Sequence, residues 1–175
     1  MTLGVCERVA HGVLLFVSSY RMLTKLSERW QQTGLWEQIT TKKVIVTEPR
    51  FTDEFESAMR HFYEVIESTK KNKNGCDTVD GALFLAVCRG KVSEGLDFMD
   101  NNARAVICLG IPFPNWKEPA VELKMKYNDK RRNKDKNILQ GREWYEIQAF
   151  RALNQALGRC IRHRKGVYFV LTLIS

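Results

Sequence analysis

The cysteines of this chain are few and never lie at a metal-binding spacing. There are five of them, scattered along the sequence, and no two form a C-x-x-C pair. Structural zinc and iron–sulfur sites need clustered thiolates, and disulfide-stabilised small folds need an even cysteine framework. The pattern argues against all three and favours a reducing compartment. The cysteines are Cys6, Cys76, Cys88, Cys108 and Cys160.

Long hydrophobic runs are also absent. The longest apolar run, Gly12–Val17, is far shorter than the roughly 20 residues that span a bilayer. Met1–Arg8 lacks the apolar core of a secretory leader. The formal net charge is +8, with 44% hydrophobic residues, so we expect a folded, soluble, intracellular domain, not associated with membranes, whose partner is anionic, such as nucleic acid or a nucleotide.

No phosphate-binding loop of the form G-x-x-x-x-G-K-[ST] occurs, because Gly90-Lys91 is followed by Val92. The sequence Asp53-Glu-Phe-Glu resembles an acidic, magnesium-binding box. Pro49 separates it from the preceding strand, and Thr52 is expected to cap a helix that starts there. The sequence therefore predicts no metal site at this position.

Short apolar runs alternate with helical patterns along the whole chain. This order predicts an α/β fold with a parallel sheet flanked by helices. Ligands of such sheets bind beyond the carboxyl ends of the strands, so the loops 18–20, 89–97 and 110–115 should share one edge. Strands are predicted at 13–17, 44–46, 82–87, 105–109 and 167–174, and helices at 22–30 (closed by Gly34), 53–68, 121–127 and 142–164.

The last predicted helix carries the most informative pattern. At about 100° per residue, Gln155, Arg159 and Arg162 lie in one narrow sector, suited to reading a phosphate. A separate apolar sector is expected to pack on the core, and Gly158 leaves room for another backbone or a ligand. A solvated basic face is the alternative. The apolar sector contains Ile147, Phe150, Leu153, Leu157 and Ile161.

Three further segments are candidate ligand sites, each with a plain structural alternative. Arg89–Phe98 is a polar loop with two glycines, which suits either a nucleotide and phosphodiester contact or an ordinary turn. Ser18 and Ser19 suit either phosphate binding at a helix start or helix capping. The basic run Lys130–Arg132 suits either nucleic-acid binding or a solvated surface.

In this order, the motifs resemble those of XPD-type superfamily-two DNA helicases. Segment 12–20 is similar to the motif IV region, 89–98 to motif V and 155–162 to motif VI. Segments 111–115, 141–145 and 149–155 look closest to the Fanconi anaemia J helicase branch. The resemblance covers nearly the whole chain, to about Lys165.

The resemblance implies a RecA-like C-terminal motor lobe that acts on ATP bound to a first lobe. That first lobe would hold Mg²⁺, the phosphate-binding loop, the acidic box and any iron–sulfur cluster, none of which this chain carries. The implied activity is ATP-driven five-prime to three-prime movement along single-stranded or forked DNA, in nuclear DNA repair. The implied sites are Arg159 and Arg162 as arginine fingers, Gln155, Gly95 and Asp97 toward ATP, and Ser18, Ser19, Arg89 and Lys91 toward DNA.

After Lys165 the sequence departs from the family pattern, which continues this strand into an acidic turn and more helices. We therefore expect a domain truncated at its C-terminus, inactive alone because the first lobe is missing. Two alternatives remain open: a non-catalytic nucleic-acid-binding module, and an unstable helicase fragment.

Overall fold

A computed structural model of the chain describes residues 1–71, 79–92, 98, 100–158 and 169–173. The helices are α1 (Thr2–Arg8), α2 (Tyr20–Gln32), α3 (Leu35–Thr40), α4 (Phe55–Lys71), α5 (Pro119–Arg132) and α6 (Gly141–Gly158). The strands are β1 (His11–Val17), β2 (Val44–Thr47), β3 (Gly81–Val87), β4 (Ala105–Leu109) and β5 (Phe169–Leu173). A 3-10 turn covers Asp100–Asn102.

The strands form one sheet in the order β2-β3-β1-β4-β5, and each neighbouring pair is parallel. Val17, the last residue of β1, pairs with Val87 of β3 and with Leu109 of β4. The three strands therefore end at the same level. This confirms the predicted α/β class and brings the loops after β1, β3 and β4 to one edge, called here the carboxyl edge.

Strand β3 and, from Gly12 onward, strand β1 are apolar because helices cover both faces of the sheet. From Gly12 to Val17 and from Gly81 to Val87 every residue is buried, as expected for a parallel sheet. On one face, Phe62 of α4 meets Phe84 of β3 edge to face, with ring centroids 5.3 Å apart. On the other face, Trp30 of α2 and Ile39 of α3 belong to a second cluster of buried hydrophobic residues.

The structure differs from the predictions at two helix caps, Gly34 and Thr52. Gly34 does end a helical pattern, with a left-handed φ of 70°, but the chain then turns into the short helix α3. Helix α4 begins at Phe55, so Asp53 and Glu54 lie in a turn before it and Thr52 is not its cap. The turn is closed by the Phe55 N–H, which donates to the Thr52 carbonyl at 3.1 Å.

The predicted apolar face of α6 is wrong in part. Ile147 and Phe150 are 39% and 48% exposed, whereas Leu153 is buried as predicted. The other buried residues are glycine and alanines, which allow neighbouring elements to approach the helix closely: a Cβ on Gly141 would lie 2.6 Å from the Met125 carbonyl oxygen. A Cβ on Gly158 would meet nothing within 4 Å. The buried residues of α6 are Gly141, Ala149, Ala152, Leu153 and Ala156.

In the part of the chain that the structure describes, no helix is long and apolar enough to cross a membrane. The described cysteines Cys6, Cys88 and Cys108 are free and buried. Burial raises the pKa of the Cys88 thiol to about 12 and that of Cys6 and Cys108 to about 11. These three thiols therefore behave as small apolar core residues rather than as nucleophiles.

Candidate nucleic-acid interface

Helix α2 begins at the carboxyl edge, directly after β1. Ser19 is its N-cap, with an extended backbone, and its hydroxyl oxygen accepts a hydrogen bond from the Met22 N–H at 3.2 Å. Ser19 is exposed and Ser18 is half-buried. The capping alternative is therefore met for Ser19, and the same exposed helix start also offers an anion N–H groups and a favourable dipole.

The turn after β3, residues 88–92, is the second part of the carboxyl edge. Arg89 has a left-handed φ of 66°, and its guanidinium Nη2 donates to the Gln148 carbonyl of α6 at 2.9 Å. Lys91 donates from Nζ to the Arg50 carbonyl at 3.3 Å and lies 5.7 Å from the Phe55 ring centroid. Both cations, predicted to face DNA, thus also hold this turn against its neighbours.

Glu48, the residue directly after β2, is a buried acid that the sequence reasoning missed. It is 2% exposed. Its Oε2 accepts the Val87 N–H at 2.7 Å, and its Oε1 accepts the Lys91 N–H at 2.8 Å and the Tyr20 hydroxyl at 3.0 Å. The carboxylate therefore joins the end of β3, the turn at 88–92 and the start of α2. The one available signal was its position, a single acid between a strand and Pro49.

The Glu48 carboxylate leaves no room for a side chain at Gly90. A Cβ at Gly90 would lie 2.5 Å from Oε1 of Glu48 and 2.9 Å from the Val87 carbonyl oxygen. The sequence predicted that glycine here lets backbone amides approach a ligand. In the structure, the group that approaches the Lys91 amide is the protein's own carboxylate.

The environment of Glu48 shifts two pKa values. Burial raises the pKa of the Glu48 carboxyl above its ordinary value, against the hydrogen bonds from Val87, Tyr20, Lys91 and Val92, which lower it. Burial, with the nearby Glu48, raises the pKa of Tyr20 to about 12. Tyr20 is therefore protonated at neutral pH and can donate its hydroxyl hydrogen.

The connector after β4 completes this edge and also contacts α6. Residues 111–115 have no regular structure, as predicted. Phe113 stacks on Tyr145 of α6, with ring centroids 5.3 Å apart and planes 17° apart, and the Tyr145 hydroxyl donates to the Pro114 carbonyl at 2.9 Å. Helix α6 is thus bonded to both the 88–92 turn and the connector.

The structure locates five of the nine predicted site residues. Ser18, Ser19, Arg89 and Lys91 all lie in loops at the carboxyl edge, and Gln155 is exposed near the end of α6. Their roles toward DNA and ATP stay predictions. The remaining four, Gly95, Asp97, Arg159 and Arg162, lie outside the described residues.

The basic run Lys130–Arg132 forms the last turn of α5. Arg132 is 2.6 Å from Glu143 of α6, in an exposed ion pair. The Gln140 N–H and this guanidinium hold the pKa of Glu143 below its ordinary value. Arg131 lies over the Tyr127 ring at 5.6 Å. A nucleic-acid role for this run stays a prediction.

Metal-ligand clusters were searched among the described residues alone. Within residues 1–71, 79–92, 98, 100–158 and 169–173, no group of three or more His, Cys, Asp or Glu side chains suits a metal ion. Asp53 and Glu54 lie exposed in the turn before α4.

Comparison with known proteins supplies the family. The family model described as the helicase C-terminal domain matches residues 2–173. This chain belongs to that family. It is 51% identical over 166 residues to the Fanconi anemia group J protein homolog of Gallus gallus, and 51% identical over 169 residues to the regulator of telomere elongation helicase 1 homolog of Drosophila persimilis.

These alignments cover 94% and 97% of this helicase C-terminal domain, but only 13% and 16% of the two relatives. The structure of Xpd4 from S. tokodaii has a TM-score of 0.59 and 16% identity, and the match covers 99% of this chain and 28% of that chain. That likeness shows a shared fold. The resemblance to XPD-type helicases is confirmed, and equal identities do not rank the two relatives.

Proposed function

We propose that this helicase C-terminal domain is the second motor lobe of an ATP-dependent DNA helicase that moves five-prime to three-prime in nuclear DNA repair. It contacts single-stranded or forked DNA at the carboxyl edge and acts on ATP held by a first lobe. The observation that carries the proposal is the match to the helicase C-terminal domain over residues 2–173. The bonds from α6 to the carboxyl edge, at Gln148 and Tyr145, support a link between this edge and the arginine motif.

The contact with DNA is assigned to Ser18, Ser19, Arg89 and Lys91. Their loops follow two adjacent parallel strands, β1 and β3, at the carboxyl edge. Hydroxyls, a helix start and two cations suit phosphate oxygens rather than base edges. Binding should therefore depend strongly on salt and little on sequence.

The action on ATP is assigned to Arg159 and Arg162 as arginine fingers, with Gln155, Gly95 and Asp97 at the nucleotide side. An arginine finger stabilises the charge that develops on the transferring phosphoryl group and is worth roughly a thousandfold or more in rate. Because α6 precedes this motif in the chain and is bonded to the DNA-facing turn at 88–92, a change in DNA contact is transmitted to the arginines. ATP and Mg²⁺ are assigned mainly to the first lobe, together with any iron–sulfur cluster.

The test places this chain in a two-lobe protein. We would exchange the matching segment of the Gallus gallus relative for this chain and measure ATP hydrolysis with and without single-stranded DNA. Arg159→Ala should lower the DNA-stimulated rate at least about tenfold, because a finger acts in the transition state. Arg151→Ala, at an exposed arginine of α6 that lies earlier in the sequence, is the control and should leave the rate unchanged.

Two results would overturn the proposal. If Arg159→Ala hydrolyses ATP at the rate of the unsubstituted chimera, the arginine has no role in the reaction. If the isolated chain binds DNA but the chimera hydrolyses no ATP, the alternative of a non-catalytic nucleic-acid-binding module is favoured.

A further inference from the structure

Glu48 lies at the carboxyl edge, where α2, β3 and the turn at 88–92 meet. Its own N–H donates to the Leu85 carbonyl at 2.8 Å and extends the pairing of β2 with β3 by one residue. Its side chain then turns inward and is 2% exposed. Burying a carboxylate is costly unless hydrogen bonds compensate it. Here the hydrogen bonds to its two oxygens compensate that cost.

The donors to Glu48 come from three different elements. They are the hydroxyl of Tyr20 in the first turn of α2, the N–H of Val87 at the end of β3, and the N–H groups of Lys91 and Val92 in the turn at 88–92. An ionised carboxylate can accept all of them, since it has two oxygens and no hydrogen of its own. When the carboxylate is ionised, each of these bonds has a charged acceptor and is stronger than a bond between neutral groups.

We propose that Glu48 is a positioning residue for DNA binding. Its carboxylate fixes the 88–92 turn to the start of α2, so that Lys91 and Ser19 meet one phosphate backbone at a set spacing. The inference rests on the proposed function, because it assumes that the carboxyl edge meets DNA.

The Lys91 N–H already donates a hydrogen bond to Glu48, which supports this role. Glu48 accepts hydrogen bonds from the N–H groups of Lys91 and Val92, which this turn would otherwise offer to an anion. A DNA phosphate at this turn therefore meets side chains, the Lys91 ammonium among them, rather than the Lys91 and Val92 N–H groups. That ammonium has three N–H donors, and one of them is used on the Arg50 carbonyl.

Glu48→Gln isolates the positioning role because it keeps the side-chain size. Whichever way the amide group is placed, an NH₂ faces either the Val87 N–H or the Lys91 N–H, so one of these backbone bonds is lost. The control is Glu54→Gln, which removes the same negative charge from an exposed turn nearby. Non-specific electrostatic attraction to DNA therefore rises equally in both variants.

The experiment uses the full 175-residue chain and two readouts. Binding of a fluorescein-labelled oligo-dT is followed by anisotropy below the melting temperature of each protein. Losing one charge-assisted hydrogen bond in the grip should weaken binding about fivefold or more for Glu48→Gln relative to Glu54→Gln. Amide hydrogen exchange is followed at Val87 or Lys91, with Phe84 in the core as the reference. One edge amide should exchange faster while Phe84 keeps its protection.

The outcomes separate this proposal from the function on which it rests. Unchanged exchange at Val87 and Lys91, or equal DNA affinity of the two variants, overturns the role of Glu48. Failure of the unsubstituted chain to bind oligo-dT overturns the DNA-binding function, and faster exchange at an edge amide alone would then leave Glu48 positioning the turn for some other ligand. A fall in affinity that merely parallels loss of protection at Phe84 is a stability effect and also overturns the proposal.

Discussion

Strand β2 is flanked by two buried ionisable residues, Lys43 and Glu48, and the two have different structural roles. Lys43 precedes the strand and is fully buried; it donates to the His11 carbonyl and forms an ion pair with Asp80. Glu48 follows the strand and accepts hydrogen bonds from neutral groups, among them the Tyr20 hydroxyl and the N–H groups of Val87 and Lys91. Burial lowers the pKa of Lys43 and raises that of Glu48.

The difference lies in what each charge joins. Lys43 connects the amino ends of β1, β2 and β3, because His11 is the first residue of β1 and Asp80 directly precedes β3. Neither of these two partners of Lys43 is a predicted site residue. Glu48 connects loops that carry predicted DNA contacts. Lys43, which has a charged partner, therefore stabilises the fold. Glu48, which accepts hydrogen bonds from neutral groups, positions the loops of the proposed DNA site.

The largest effect is expected from a substitution that breaks the ion pair between Lys43 and Asp80, at the amino end of β2. Asp80→Ala leaves the Lys43 ammonium buried without its carboxylate, which should lower the free energy of unfolding by about 3 kcal/mol. Urea unfolding measures this change. Asp53→Ala, in an exposed turn, is the control and should stay within about 0.5 kcal/mol of the unsubstituted chain. An equal, small change in both would show that the Lys43 pair contributes little.

A smaller effect is expected from a cation at the carboxyl edge. Lys91→Met keeps the apolar stem beside Phe55 and removes the charge, so affinity for oligo-dT should fall about threefold and the salt slope by about 1. Lys42→Met removes the same charge at the opposite edge of the sheet from an equally half-buried position. Anisotropy titrations over a range of salt compare the two. Equal slopes for both variants would remove Lys91 from the DNA contact.

The smallest expected effect is a pH dependence. Because the pKa of Glu48 is raised on folding, its contribution to stability is fully present below its unfolded pKa and is lost as pH rises through the folded value. Relative to Glu48→Gln, the unsubstituted chain should therefore gain unfolding free energy as pH falls through this window. Urea unfolding of both proteins at several pH values measures the difference. A difference that is constant with pH, or that has the opposite sign, contradicts the raised pKa.

Much of the fold was predictable from the sequence. The apolar runs at 13–17, 82–87 and 105–109 predicted β1, β3 and β4, because a strand covered on both faces needs continuous hydrophobic residues. Their parallel order then placed the candidate loops at one edge. Helix α3 was missed because Gly34, with its left-handed φ, indicated an end and gave no sign that a new helix follows.

The site was predictable only in its outline. The face of α6 was misjudged because large apolar residues, Ile147 and Phe150, were weighted above the alanines that allow close packing. Glu48 carries no local pattern, since its role depends on donors 28 and 39 residues away in sequence, at Tyr20 and Val87. Contacts of that range are set by sheet order, which periodicity alone does not supply.

The most direct test compares Glu48→Gln with Asp80→Ala in one experiment, with melting temperature and oligo-dT affinity measured for each. The account predicts that Asp80→Ala lowers the melting temperature by roughly 6–12 °C and leaves the affinity of the folded chain unchanged. It predicts that Glu48→Gln lowers affinity about fivefold or more with a much smaller change in melting temperature. If both variants changed melting temperature and affinity in the same proportion, the division of work between the two ends of β2 would be contradicted.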